Sequence, residues 1–219
     1  MTTTNNPVFG GDSPQAALDV DGLLRYGTAT LHEAAEVNSV LPPAIRPVVP
    51  GVGVCGPAFT VETGAGDNLW IHRALYRAPA GSVLVVSCNG VYEYGYWGEI
   101  LSTAAKECGL AGVVIDGFVR DSVPLAEVGF PVFARGLCVR GTTKRPGARA
   151  GVGMPLNFGG IVVRPGDIIV GDADGVISLP PESYAGLLDR AAERISKEQL
   201  IMEQLRRGER SVDLLGLEP

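Results

Sequence analysis

The chain has 219 residues, 46% of them apolar and 19% charged, a composition that folds into one large globular domain and excludes an extended disordered chain. A formal net charge of −6 leaves no basic stripe for nucleic acid. No stretch reaches the ~20 apolar residues of a membrane span, and the polar N-terminus has no basic-then-apolar export signal, so a cytoplasmic location is expected.

Residues 1–13 read as a flexible tail, and 14–219 as a single α/β domain without repeats or linkers. Asp19 to Tyr26 fits a short helix. Thr30-Leu31-His32-Glu33 fits a capping box opening another, with the Thr30 hydroxyl and Glu33 carboxylate each taking a free amide. Pro42, Pro43, Pro47 and Pro50 drive the chain into extended form. Val52–Cys55 and Ala58–Glu62 read as strands broken by Gly56-Pro57. Gly66-Asp67-Asn68 opens a helix whose Ile71, Ala74, Leu75 and Ala78 form a buried stripe. Ser82–Cys88 and Gly112–Asp116 are short, β-branched apolar runs, the pattern of strands covered on both faces. Between them lie a glycine-punctuated loop, Asn89–Gly98, and a helix, Ile100–Cys108, with Ile100, Leu101, Ala104, Ala105 and Cys108 on its inner side.

A short helix over Val123–Val128 precedes a strand at Pro131–Ala134. Residues 141–160, rich in glycine, read as a long loop; Arg140, Lys144, Arg145 and Arg149 there could meet an anionic substrate, although a mobile basic loop is the simpler expectation. Strands at Ile161–Val163, Asp167–Val170 and Val176–Leu179 follow, with the Asp172–Gly175 turn short of the ligands calcium needs. An amphipathic helix from Glu182 to about Arg207 comes last, with Tyr184, Leu187, Leu188, Ala191, Ile195, Met202 and Leu205 on its apolar side.

Cys55, Cys88, Cys108 and Cys138 form no CxxC pair, which favours buried reduced thiols over a zinc knuckle or a disulfide framework. His32 and His72 are the only histidines, so a metal would be held by oxygen, and oxygen ligation favours magnesium or manganese. The chemistry-bearing unit is Ser82 to Asp121. If its two strands lie parallel, the loop ending at Gly98 and the segment ending at Arg120-Asp121 meet at one sheet edge, where open α/β sheets commonly bind ligands. The amides of Ile100 and Leu101 are then free helix-start donors suited to a carboxylate. Arg120 offers a permanently charged planar fork, and Asp121 a hard anionic ligand. As a lone dipeptide, Arg-Asp is a common surface pair; beside the glycine loop and the helix start it becomes a candidate site for a metal and a small oxo-acid.

Glu99, the next twenty residues and Arg120-Asp121 resemble the D-x20-R-D signature of the RraA-like superfamily, in particular the 4-hydroxy-4-methyl-2-oxoglutarate/4-carboxy-4-hydroxy-2-oxoadipate aldolases. The resemblance takes in Gly27–Leu31, Pro43–Pro47, Gly56–Val61, Gly66–Ala74, Trp97-Gly98, Ala111–Gly117, Pro131–Gly136, Arg164–Asp167 and Asp174–Val176. It implies a β/β/α swivelling-type fold, a homotrimer or hexamer with active sites between subunits, and a metal-dependent class II pyruvate aldolase. By that resemblance Asp121 ligates Mg²⁺ or Mn²⁺ directly, Glu99 supports a water on the metal, and amides of Gly98, Glu99, Ile100 and Leu101 take the pyruvyl carboxylate. Arg120 contacts the C2 oxo group, and Glu198 from a neighbouring subunit joins the metal's outer shell. The chain departs from the pattern at Glu99, one methylene longer than the signature Asp, at Pro124, where some relatives carry an acid, and in the aromatic loop Tyr92-Glu93-Tyr94-Gly95-Tyr96.

The expected activity is retro-aldol cleavage of a 4-hydroxy-2-oxo acid or diacid to pyruvate, with oxaloacetate decarboxylation through the same enolate. A Schiff-base route is disfavoured, because Lys106, Lys144 and Lys197 all sit in charged surroundings. Glu93 could border the distal pocket, and His72 reads as a packing histidine. The rival is a non-catalytic regulator of a ribonuclease, which has no need of acids at 99 and 121. A methyltransferase reading lacks a glycine fingerprint after the first strand.

Overall fold

A computed structural model describes residues 18–147 and 150–217; the expected tail and Arg149 lie outside them. Helix α1 spans Val20–Ala35 and strand β1 Arg46–Pro47. Strand β2 (Val54–Glu62), helix α2 (Leu69–Leu75) and strand β3 (Val83–Ser87) follow. A three-residue strand β4 (Gly95–Trp97) leads into α3 (Glu99–Glu107), β5 (Gly112–Val119), α4 (Ser122–Val128) and β6 (Val132–Leu137). Then come β7 (Gly151–Val152), β8 (Leu156–Phe158), β9 (Ile161–Val163), β10 (Ile168–Asp172) and β11 (Gly175–Leu179). A 3-10 turn at Pro181–Tyr184 precedes α5 (Leu187–Arg206) and the short α6 (Ser211–Leu214).

This is a mixed α/β domain built on one sheet, ordered β1-β6-β5-β3-β2-β10-β11. Strands β6, β5, β3 and β2 are parallel, and β1, β10 and β11 add antiparallel flanks. The two flanks approach each other: Arg46 donates to the carbonyls of Ala173 and Asp174, and the Leu41 amide to Val176 O. The interior so enclosed holds Ile45, Val54, Val83, Val85, Val114, Phe133, Phe158 and Ile169. Outside it, α2, α3 and α4 cover one sheet face over Ile71, Leu84, Val86, Leu101, Ile115 and Leu125. Helices α1 and α5 cover the β10–β11 flank over Leu23, Leu31, Val170, Ile177 and Ala191.

Sequence periodicity places most elements, and tertiary partners explain the departures. Gly56-Pro57 does not break β2, because the strand changes neighbours there. Residues 54–57 pair with β10 and residues 58–62 with β3, so a proline without an N–H sits at the handover. Gly56 is required, since a Cβ would run into the carbonyl of Gly81. The expected loop at Asn89–Gly98 contains β4, and the 141–160 loop contains β7 and β8. The expected long C-terminal helix is interrupted at Gly186, φ 68°, so Tyr184 lies in the 3-10 turn. Only Leu187 and Ala191 of its expected apolar face are fully buried. Of the inner face expected for α3, Leu101 and Ala105 are buried, joined by Ser102, but Ile100 is 74% exposed.

The Thr30 capping box does not form. Thr30 lies inside α1, which bends at Gly27, φ 77° and ψ 164°, and Glu33 pairs with Arg194. The second half of α1 is capped from a distant turn: Asp172 accepts from the Thr28 amide and the Thr28 hydroxyl, each at 2.7 Å, and from the Asp174 amide at 2.9 Å. The carboxylate is therefore a helix cap and not a cation ligand.

A second carboxylate pins the basic loop. Asp67 is fully buried and accepts from the Leu69 amide (3.0 Å), the Thr143 hydroxyl (2.9 Å) and the Arg145 amide (2.6 Å). Burial pushes its pKa up, but the Leu69 and Arg145 amides, the Thr143 hydroxyl and the Arg145 charge outweigh it, and the net shift is downward.

Two outcomes are expected. Asp172→Ala lowers stability by about 1–2 kcal/mol, read as a lower urea midpoint at unchanged slope. Asp67→Asn costs about 2–3 kcal/mol at pH 7 through unmade hydrogen bonds. Because the folded pKa lies below the ordinary 3.8, the wild-type advantage is complete above that pH and shrinks as pH falls through the folded value. Denaturation at pH 7 and near pH 3 checks both the size and the sign.

Candidate active site

Strands β3 and β5 run in parallel register from Val83↔Gly112 to Ser87↔Asp116. The chain then leaves β3, turns through Asn89 (φ 52°) and Gly90 (φ 75°), and returns as β4 beside the end of β5, with Gly95↔Phe118 and Trp97↔Val119. The β4–β5 register shifts between Gly95 and Trp97, and the β5–β6 register between Ile115 and Phe118. The Arg120 amide donates to Trp97 O at 2.9 Å and closes the ladder. Gly98 and Arg120-Asp121 thus emerge side by side, as expected for two parallel strands ending at one edge.

Asp121 sits in the left-handed region, φ 62° and ψ 45°, where Asp is among the better tolerated non-glycine residues. It is the N-cap of α4, yet its side chain makes no cap to α4. It turns instead to α3, where Oδ2 accepts from the Glu99 amide at 3.2 Å. Gly98 makes room for this: a Cβ there would run into Asp121 Oδ2 and lie 3.2 Å from Arg120 Cγ. At Gly95 a Cβ would sit 3.0 Å from Arg120 Cδ and 2.6 Å from Cys138 O. Both glycines are explained by the side chains that lie across them. The Arg120 and Asp121 side chains are 45% and 38% exposed, with Nε 3.7 Å from Oδ2.

These groups border a cleft of about 110 Å³. Gly98, Ile100, Leu101, Arg120 and Asp121 contribute from one part of the chain, and β4 contributes Gly95, Tyr96 and Trp97. Asn68, His72 and Lys144 come from α2 and the pinned loop. Tyr96 ties the parts together. Its hydroxyl donates to Val91 O (2.6 Å) and accepts from the Gly66 amide (2.8 Å), while its carbonyl accepts from Asn68 Nδ2 (3.0 Å). Burial is the main reason that its pKa rises to about 12, so it stays a neutral phenol. Burial, then the Lys144 charge, lower the pKa of His72, which keeps the ring neutral near pH 7.

The other expected site residues fall as follows. Glu99 supplies its amide to Asp121, and its side chain is exposed on the first turn of α3. Glu93 is exposed and does not line the cleft. Glu198 lies on α5, ion-paired with Arg194, whose Nε is 2.9 Å away and which also pairs with Glu33; it does not line the cleft of its own chain. Sequence reasoning missed Asn68, Tyr96 and Trp97 as lining groups and weighed His72 and Lys144 as packing or mobile. The one available signal was Asp67-Asn68 directly ahead of a helix.

Among the described residues no three His, Cys, Asp or Glu side chains converge as a metal cage. The lining of the cleft offers one carboxylate, Asp121, and Mg²⁺ is typically held by one or two carboxylates with several waters. Asp121 Oδ1 carries no hydrogen bond among the described residues, which leaves one carboxylate oxygen for such an ion. No described helix is long and apolar enough to cross a membrane.

Comparison with known proteins finds relatives by sequence and by fold. A Halalkalibacterium halodurans protein provisionally named a 4-hydroxy-4-methyl-2-oxoglutarate aldolase is 35% identical over 170 residues, covering 76% of this chain and 79% of the relative. A solved structure of an uncharacterized Pseudomonas syringae protein superposes with TM-score 0.71 at 29% identity, over 87% of this chain and 95% of that one. The RNA-processing inhibitor RraA from Thermus thermophilis superposes with TM-score 0.63 at 30% identity, over 70% and 92% of the two chains. The family model described as RraA-like, Aldolase/RraA, matches residues 28–178, a span that includes β4, α3 and the Arg120-Asp121 pair, and the chain belongs to that family.

Proposed function

We propose that the protein is a divalent-metal-dependent carbon–carbon lyase. Its reaction is retro-aldol cleavage of a 4-hydroxy-2-oxo acid to pyruvate and a second oxo compound, with oxaloacetate decarboxylation as a companion activity. The observation that carries the reading is Asp121, an N-cap residue whose carboxylate leaves its own helix and faces Gly98 and the start of α3 beside Arg120. A purely structural N-cap aspartate would turn its carboxylate the other way. The provisional aldolase name of a 35%-identical relative supports the same class.

In this reading the amides of Ile100 and Leu101, which have no partner within the first turn of α3, donate to the substrate carboxylate. Arg120 donates to the C2 oxygen. When the C4 hydroxyl loses its proton and the C3–C4 bond breaks, the electron pair moves toward C2, and Arg120 faces the negative charge that builds on that oxygen. Protonation at C3 then completes pyruvate. Mg²⁺ or Mn²⁺ would be held by Asp121, with Glu99 and a second copy's Glu198 behind it, and would supply Lewis acidity toward the oxo-acid oxygens. Oxaloacetate reaches the same enolate by losing CO₂ from C4.

A trimer or hexamer belongs to the proposal. Ile100, Val123, Leu137 and Val139 are exposed apolar side chains, apolar surface that a subunit boundary would cover. The second reading, a regulator acting by protein contact, draws on the Thermus relative's description as an RNA-processing inhibitor.

The deciding assay is pyruvate release from 4-hydroxy-2-oxo acids and from oxaloacetate. Addition of EDTA, or Asp121→Ala, is expected to lower the rate about a thousandfold, and Arg120→Lys about a hundredfold through loss of the planar fork. Release that ignores the chelator, or no release with any substrate, would decide for the regulator.

A further inference from the structure

Resting on the lyase reading, we infer that Arg135 and Tyr92 are positioning residues that act as a clamp. Arg135 holds Tyr92, and Tyr92 holds the segment that presents Gly98 and the α3 amides to Asp121. Neither residue lines the cleft, so both act through that segment. Residues 89–98 are joined to the rest of the domain by little regular structure. Strand β4 has three residues and two register pairs with β5. Its approach is closed by bonds between near neighbours: the Val91 amide donates to Cys88 O, Tyr94 to Tyr92 O and Tyr96 to Tyr94 O. Such bonds set the shape of the segment but not its place. Yet Gly98 has to lie against the Asp121 carboxylate, and the Glu99 amide has to reach it.

Side chains supply the place. Asp116 on β5 is buried, and its Oδ1 accepts from Arg135 Nε on the adjacent strand β6. So fixed, the guanidinium lies over the Tyr92 ring, 4.1 Å from its centroid, where a planar cation and the negative face of an aromatic ring attract. The Arg135 side chain is 20% exposed, so the contact is partly desolvated and stronger than at an open surface. Among the described residues Arg135 has no other hydrogen-bond or ion-pair partner than Asp116. The Tyr92 carbonyl also accepts from the Phe118 amide at 3.3 Å, which ties the same residue to β5. Farther along, Arg140 lies 5.1 Å from the Tyr94 ring, and its carbonyl accepts from the Gly95 amide at 2.7 Å. The chain leaving β6 therefore grips the segment twice, and the Arg135 grip is the firmer because a buried carboxylate orients it. The alternating tyrosines divide their work accordingly: Tyr92 and Tyr94 are held from outside by arginines, and Tyr96 is plugged into the core beside Gly66.

The test joins hydrogen exchange to kinetics on Tyr92→Leu, Arg135→Lys and the double variant. Lysine keeps a cation beside Asp116, so the buried carboxylate is not left unpaired. Amide exchange, read by mass spectrometry without added metal, is expected to quicken about tenfold over residues 92–101 of Tyr92→Leu and to stay as it was in α4 and α5. Pyruvate release from 4-hydroxy-2-oxoglutarate, with Mg²⁺ present, is expected to show KM raised about tenfold and kcat within about twofold of wild type, because saturating substrate draws the segment back into place. A merely structural loss lowers kcat and leaves KM alone. Tyr92→Phe keeps the ring face and with it the wild-type KM, and the double variant is no worse than Tyr92→Leu. Exchange that quickens throughout the chain, Tyr92→Phe as impaired as Tyr92→Leu, or additive losses in the double variant overturns the inference. Local quickening in a protein that releases no pyruvate rejects the lyase reading and keeps the clamp; release with exchange and KM unchanged in Tyr92→Leu rejects the clamp alone.

Discussion

Two side chains and two glycines occupy one small volume at the end of β5, and each restricts what the others can be. Arg120 lies across Gly95 and Gly98, and Asp121 presses its carboxylate against Gly98 while accepting the Glu99 amide. The arrangement needs Asp121 in the left-handed region, which costs backbone energy on the order of 1 kcal/mol. It also needs β4, paired beside β5 with a shift in register, to bring Gly98 into range. The register shift, the extra strand and the helix start are consistent only together, so the site belongs to the fold and is not an attachment to it.

Stability does not account for the arrangement. The Arg120–Asp121 pair is loose at 3.7 Å and well exposed, and such pairs contribute little. Asp67 and Asp172 show what structural carboxylates look like in this protein: both are covered by donors, with three hydrogen bonds each. Asp121 has one bond to an amide, at 3.2 Å, and a free oxygen. Three aspartates in one chain thus divide into two that fasten segments together and one that is left available, and the available one stands next to a guanidinium at a cleft.

The parts of this architecture that were legible in the sequence are those set by local chemistry. Apolar β-branched runs at 82–88 and 112–116 announced buried parallel strands, and twenty residues between Glu99 and Arg120 were enough for one helix and one strand. What stayed hidden depends on partners far along the chain. Gly56-Pro57 looks like a break until β10 and β3 are seen to share one strand. The start of the second half of α1 is set by Asp172, 144 residues away, and no local pattern could reveal it. Ile100 reads as core from its spacing, but the stripe of α3 that packs inward runs through Leu101, Ser102 and Ala105, and Ile100 falls beside it at the cleft.

The same distance effect governs the loop that brings Lys144 to the cleft. Glycine content around Lys144 raises the expected mobility of the loop, and only the fold reveals that its neighbours converge on Asp67. Mobility matters because an ammonium on a free loop loses much of its attraction for an anion to side-chain and backbone ordering. Fixing the backbone beforehand removes part of that cost, and here the fixing is done by a carboxylate 76 and 78 residues away in the chain. The buried aspartate reaches the cleft only through the loop it holds, while Asp121 lines the cleft itself.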